Sequence, residues 1–329
     1  MPAANRRVVQ REVGSPESVA ELEHGEVPTP GPGELLVELV LAPINPAEVL
    51  MLQGEYGYRE TVPPLPRFAG IEGVGRVVGG ATDAVPLGSF VSLAGTAAVF
   101  GDYRVIPAEQ AFVLPEDVDA DTVAVAFVNT QAVLVMLHEW SEVGPGDWIV
   151  QNAANSGYGR ILDAVAARRG VRLVNVVRSS EAAKQLDGSS GPVVVDGDDL
   201  EARVLEATDG VRPLVAADAV GGTATGRLAS TLVSGGRVVT YGLMSGEPCQ
   251  IDTRLIVFGG IRLEGFWMPR SMPRLDAAEL AGIGSEALDV IRSGAVSVPI
   301  ERRYGLDDVA TALAHAAQGG RVGKVVLTR

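Results

Sequence analysis

DWIVQNAANSGYGRILDAVAARRGVRLVNVVR (147–178) runs from one apolar stretch through a glycine-containing turn and an amphipathic segment into a second apolar stretch. DWIVQNA reads as a buried strand, GRILDAVAARRG as a helix closed by Gly170, and VRLVNVVR as the next strand. Apolar runs separated by a helical pattern form a right-handed βαβ unit. A strand, a tight turn and a helix N-terminus make an anion site. The first N–H groups of the helix point outward, and its dipole favours negative charge there. Gly157 and Gly159 let a pyrophosphate approach the backbone closely. Asn155 stands where the fuller G-x-G-x-x-G pattern has an earlier glycine, and Ser156 and Tyr158 complete the turn. A glycine pair at such a junction is often only a turn. Here the same alternation continues on both sides, which favours a dinucleotide.

Downstream, LVAADAV (214–220), GRVVTYG (236–242) and IRLEGFW (261–267) read as further strands with helical segments between them, and 275–294 as a helix. Upstream, DADTVAVAFVNTQAVLVMLHEW (119–140) is long, apolar and helical in look. Before it, GELLVELVLAPIN (33–45), EGVGRVVGG (72–80) and GSFVSL (88–93) are short strands with Gly and Pro punctuation, and Pro63, Pro64 and Pro66 mark a loop. Such close-spaced strands suggest a partly closed β-barrel. The tail from Val298 returns to short strands around the helix LDDVATALAHAA (306–317). The expected class is α/β, a doubly wound parallel sheet with a β-barrel domain.

At 329 residues the chain is too long for one small core. A hydrophobic share of 47% and a charged share of 21% place it among ordinary globular proteins. A formal net charge of -14 argues against nucleic acid or anionic membrane as a partner. Cys249 is the single cysteine, so no internal disulfide forms and a Cys-rich structural zinc site is excluded. His24, His138 and His315 are scattered without metal-ligand spacing. No stretch is expected to span a membrane. The N-terminus carries no apolar signal core and no long Arg/Ser-rich leader. A cytoplasmic protein is the expectation.

The end of the second strand selects the dinucleotide. An acidic residue there would bind the ribose 2′-OH of NAD. This chain has Arg178, followed by Ser179 and Ser180, and a guanidinium grips a 2′-phosphate bidentately. NADPH is therefore the expected cofactor, with Lys324 as a second candidate for phosphate charge. A solvated surface arginine is the plain alternative for Arg178.

With these residues in view, the chain resembles the medium-chain dehydrogenase/reductase superfamily over nearly its whole length, and within it the mitochondrial-type NADPH-dependent 2-enoyl thioester reductases. The resemblance rests on INPAEVLMLQGEYG (44–57), FAGIEGVGRVV (68–78), QNAANSGYGR (151–160), NVVR (175–178), VVTYGLM (238–244), LEGFW (263–267) and GKVVLT (323–328). It implies a GroES-like catalytic domain from both chain ends (1–121 and 267–329) around a Rossmann domain (122–266). Zinc-dependent relatives carry Gly-His-Glu where this chain has Gly70-Ile71-Glu72, so the resemblance implies a zinc-free enzyme.

The resemblance also implies that Tyr56 is catalytic. Hydride delivered to Cβ of an enoyl thioester builds negative charge on the thioester oxygen, and a phenol, protonated at neutral pH, can stabilise it or pass on a proton. Without the family match, a tyrosine in a glycine-rich loop is more often a packing residue. Tyr58, two residues on, is easily confused with it. Asn45, Asn129, Tyr241, Gly242, Met244, Phe266 and Trp267 match cofactor-lining positions. The chain departs from the family at Ala132, where a threonine is usual, and between Arg178 and Leu200, where it is shorter. The implied substrate is a small-molecule or carrier-bound 2-enoyl thioester, and the implied assembly a homodimer through the strand near LEGFW. An NADPH quinone or alkenal reductase, or a non-catalytic NADPH-binding protein, are the alternative functions.

Overall fold

The computed structural model describes residues 4–57, 63–96 and 98–329. They divide into two compact units, Met1–Val128 with Val298–Arg329, and Asn129–Ser297. The expected second boundary, after residue 266, therefore moves to 297. Helix Ala277–Arg292 explains the shift: its Glu279 pairs with His138 at 3.7 Å and its Glu286 with Arg169 at 3.1 Å, both inside the second unit.

The first unit begins with an antiparallel hairpin of β1 (Ala4–Gln10) and β2 (Ala20–Glu26). β3 (Glu34–Pro43) buries Leu35, Val37, Leu39 and Leu41, the strict alternation of a strand with one face in a core. β4 (Arg67–Phe68) lies beside β1, while β5 (Val74–Gly79), β6 (Phe90–Ser92), β7 (Tyr103–Pro107) and β8 (Phe112–Val113) extend from β3 as antiparallel neighbours.

The second unit contains β9 (Trp148–Gln151), β10 (Arg172–Val177), β11 (Val193–Val195), β12 (Val215–Asp218), β13 (Arg237–Thr240) and β14 (Arg262–Gly265). All pair in parallel in the order β11-β10-β9-β12-β13-β14. This is the doubly wound order, with its reversal between β9 and β12; ligands bind outside the C-terminal strand ends at such a reversal. Val150, Val174, Val176, Ala216 and Val238 form the buried centre of this sheet.

The tail then completes the first unit. β15 (Ile300–Gly305) pairs in parallel with β16 (Lys324–Thr328), and β16 runs antiparallel to β3, with Ile44 N–H donating to Val325 O at 2.9 Å. The last residues of the chain are thereby brought beside Asn45.

Helix Ala120–His138 corrects one expectation. By length and composition it is apolar enough to cross a membrane, and 61% of its most apolar window is buried inside the protein. Val123, Ala126, Phe127, Val133, Leu134 and Met136 are among its buried residues. A helix apolar on nearly all sides is what a core helix of a large protein requires.

Candidate active site

The turn after β9 is built by two short-range constraints. Ser156 caps helix Gly157–Arg168, its Oγ accepting from Gly159 N–H at 3.1 Å. The N–H groups of Gly157 and Tyr158 have no intrahelical acceptor and remain for an anion. A Cβ on Gly159 would sit 2.6 Å from Ala154 O, so only glycine lets the helix start this close to the strand. Beneath it, buried Gln151 donates to Gly159 O at 2.8 Å and to Asn175 Oδ1 at 2.7 Å, and Asn175 donates to Asp163 at 2.8 Å. Ser190 closes the chain, donating to Asp163 through its N–H and its hydroxyl. The turn is thus tied through the core to the loop that follows β10.

Asn155 is engaged sideways, donating to Gln185 Oε1 at 3.0 Å while Arg160 donates to the carbonyls of Asn155 and Gln185. Arg178 directly follows β10 and is exposed, and no carboxylate pairs with it among the described residues. Ser179 is a cap, its Oγ accepting from Ala182 N–H at 3.3 Å.

A second hub stands at the ends of β12 and β13. Asp218, fully buried, accepts from Asn152 Nδ2 at 2.6 Å, Thr225 Oγ1 at 2.6 Å, Val220 N–H at 2.9 Å and Gly221 N–H at 3.1 Å. It braces the loop carrying Tyr241, Gly242 and Met244. Tyr241 N–H donates to Asp218 O, Met244 N–H to Ala219 O, and a Cβ on Gly242 would meet Ala219 O at 2.4 Å. The Tyr241 ring stacks on Tyr158, centroids 4.3 Å apart. Burial pushes both phenols upward, helped at Tyr158 by Tyr241 and at Tyr241 by the Asp218 carboxylate, so both remain protonated. Tyr241 Oη is buried without a hydrogen-bond partner among the described residues, whereas Tyr158 Oη donates to Met136 Sδ at 3.6 Å. Phe266 is buried, its N–H on Thr240 O, and Trp267 caps the following short helix. Asn129 is half-buried on helix Ala120–His138. Anion-ready N–H groups, a helix start drawn close to the strand by Gly159, an exposed guanidinium at Arg178 and a buried phenol with no acceptor among the described residues together fit a phosphorylated dinucleotide.

In the first unit, Tyr56 is half-buried and follows helix Pro46–Gln53, its N–H returning to Leu50 O at 3.2 Å. Tyr58 lies outside the described residues. Asn45 and Lys324, expected at the cofactor, are partners of each other: Lys324 Nζ donates to Asn45 Oδ1, and Asn45 Nδ2 donates to Glu72. Asn45 N–H donates to buried Glu48 at 2.9 Å. Asn152, Asp218, Glu48 and Glu72 were not legible as a group. For Asn152, Asp218 and Glu72 the one local signal is polarity inside otherwise apolar stretches, QNA (151–153), AADAV (216–220) and IEGVG (71–75); Glu48 has no such signal.

A family model described as zinc-binding dehydrogenase matches residues 192–327. Among the described residues no group of three or more His, Cys, Asp or Glu side chains is placed to hold a metal ion. The mitochondrial enoyl-[acyl-carrier-protein] reductase of Bos taurus is 31% identical over 342 residues, covering 99% of this chain and 89% of that protein. A mycobacterial protein solved with NADPH is 26% identical, with 99% and 100% of the two chains covered and a TM-score of 0.83. Etr1p, part of a mitochondrial 2-enoyl thioester reductase of Candida tropicalis and solved with NADP and crotonyl-CoA, shares the fold at 19% identity, TM-score 0.85, covering 99% and 100%. The chain belongs to the medium-chain dehydrogenase/reductase superfamily, in the family of the mitochondrial enoyl-[acyl-carrier-protein] reductases.

Proposed function

We propose that this protein is an NADPH-dependent 2-enoyl thioester reductase. NADPH, when bound, supplies the hydride that adds to Cβ of the conjugated double bond. The observation that carries the cofactor assignment is the exposed, unpaired Arg178 at the end of β10, where an NAD enzyme needs a carboxylate. The helix N-terminus at Ser156–Gly159 holds the pyrophosphate, and Gly159 lets that helix start close to the strand. Tyr241 Oη, protonated and buried, is a donor waiting for an acceptor on the dinucleotide. Tyr56 then stabilises the negative charge that builds on the thioester oxygen, or passes a proton toward Cα. The substrate class follows the relatives named for enoyl-thioester reduction.

We further propose a homodimer. β14 is the last strand of its sheet, and Leu263 upon it, with Ile256, Val257 and Phe258 just before, is exposed. An apolar sheet edge of this kind is a template for a second chain. The thioester is carried either on coenzyme A or on an acyl carrier protein, and the compartment is cytoplasmic.

The test is NADPH and NADH oxidation against crotonyl-CoA, a crotonyl carrier protein, an enone and a quinone. The expected result is turnover of the thioesters with NADPH; turnover of quinone alone makes the protein a quinone reductase, and NADPH binding without any turnover makes it a non-catalytic binder.

A further inference from the structure

Buried polar groups outside the dinucleotide turn gather at the start of helix Pro46–Gln53. Glu48 closes a capping box there, accepting from the Asn45 N–H. The Asn45 amide is gripped at both ends, donating to Glu72 and accepting from the Lys324 ammonium. Glu48 is 2% and Glu72 4% exposed. Two buried carboxyl groups feel one buried ammonium, which is costly unless one of them is neutral. Burial, then the charge of Glu72, pushes Glu48 up to about 8. Glu72 is raised by burial against the pull of Lys324 and Asn45; Lys324 is lowered by burial and by Arg321, against the pull of both glutamates. Glu48 Oε1 is buried without a hydrogen-bond partner among the described residues. It adjoins a cavity of about 10 Å³ lined also by Gln10, Met51, Arg67 and Phe68, too small for any substrate.

The opposite end of the same eight-residue helix carries Tyr56. Gly54 closes it in the left-handed region at φ 76°, and the N–H groups of Glu55 and Tyr56 both return to Leu50 O. Arg67 donates to Met51 O, and Gln10 to Leu52 O at 2.7 Å. The backbone of Tyr56 thus hangs from a short rigid rod whose start is set by the buried cluster.

We propose that Asn45, Glu48, Glu72 and Lys324 form a positioning assembly that fixes helix Pro46–Gln53 and, through it, the Tyr56 phenol. The proposal rests on the catalytic assignment of Tyr56. Glu48 is its positioning residue: it touches no reactant, and its work is the hydrogen bond to Asn45 N–H. Lys324 and Glu72 are joined through the Asn45 amide, which leaves Glu48 as the neutral member. A glutamine at 48 keeps that hydrogen bond and neutrality; an apolar residue does not.

The experiment combines Glu48→Gln and Glu48→Ala with Tyr56→Phe, reading kcat and KM for crotonyl-CoA, the Kd of NADPH by its fluorescence without thioester, and the melting temperature. A misplaced catalytic group costs roughly 10- to 100-fold, so Glu48→Ala is expected to lower kcat by that factor while the NADPH Kd holds. Glu48→Gln restores kcat. In the Tyr56→Phe background Glu48→Ala costs nothing more, because groups acting through one another are not additive. If Glu48→Ala does not fold, Glu48→Met, which fills the volume without the hydrogen bond, takes its place with the same expectation. An additive loss, an unchanged kcat, or Gln as damaging as Ala overturns the proposal while Tyr56 stands. An unchanged Tyr56→Phe rate removes the assignment of Tyr56, and the proposal with it.

Discussion

In the proposed function, Arg178 and Gly159 do opposite kinds of work on the same ligand. Arg178 adds attraction at an exposed site, and hydrogen bonds to a charged group contribute about 1.5–3 kcal/mol each. Arg178→Ala is therefore expected to raise the NADPH Kd roughly 10- to 100-fold and leave the NADH Kd nearly unchanged, so that the preference between the two collapses. Fluorescence titration of both dinucleotides checks this; an equal loss for both would mean the guanidinium does not meet the 2′-phosphate. Gly159 contributes by what it lacks. A methyl group there meets Ala154 backbone at 2.6 Å and 2.7 Å, and overpacking of this kind costs about 1–3 kcal/mol. Gly159→Ala should lower the melting temperature and weaken NADPH and NADH alike, a pattern distinct from that of Arg178→Ala.

Among elements, helix Pro46–Gln53 carries in Glu48 a group whose protonation bears on stability. The folded protein keeps the Glu48 proton up to about 8, against an ordinary value of 4.5. Between those values unfolding releases a proton, so stability falls as pH rises through the window. Glu48→Gln removes that slope. Thermal unfolding from pH 5 to pH 8 checks it: the wild-type midpoint should drop more steeply than that of the variant, and parallel curves would contradict a neutral Glu48. The elements themselves were unequally legible. β9, β10, β12 and β13 are apolar runs bounded by glycine or polar residues, and the structure has them where the pattern puts them. β11, three residues long, is too short to show a period. The burial of Glu48 and Glu72 does not show in their local sequence, because Lys324 reaches them only when β16 returns from the far end of the chain to lie on β3. The division at 297 was hidden for a similar reason: helix Ala277–Arg292 meets residues over a hundred positions earlier, as in the pair of Glu286 with Arg169, and local patterning does not show such contacts.

For the whole molecule, the proposed homodimer rests on the apolar sheet edge at β14. Leu263→Glu places a charge on it and is expected to convert a homodimer to a monomer in light scattering, with the NADPH Kd unchanged. A wild-type monomer would refute the proposed assembly without touching the chemistry. In the sequence, the Gly157–Gly159 turn and Arg178 stand in a recognisable local pattern, whereas Tyr56 is singled out only by the family resemblance. What the pattern did not reveal is the support behind them: the Asp218 hub under Tyr241, and the Gln151–Asn175–Asp163 chain under Gly159. Those contacts join residues from different strands, and their partners are set by the sheet order.

The most direct measurement is the steady-state rate of NADPH oxidation with crotonyl-CoA for the wild type and Tyr56→Phe, each also measured with a quinone. A positioned proton donor contributes about 10²- to 10⁴-fold, so the substitution should cost that much on the thioester, with the NADPH Kd unchanged. Equal rates for the two proteins on crotonyl-CoA, or turnover confined to the quinone, would contradict the account.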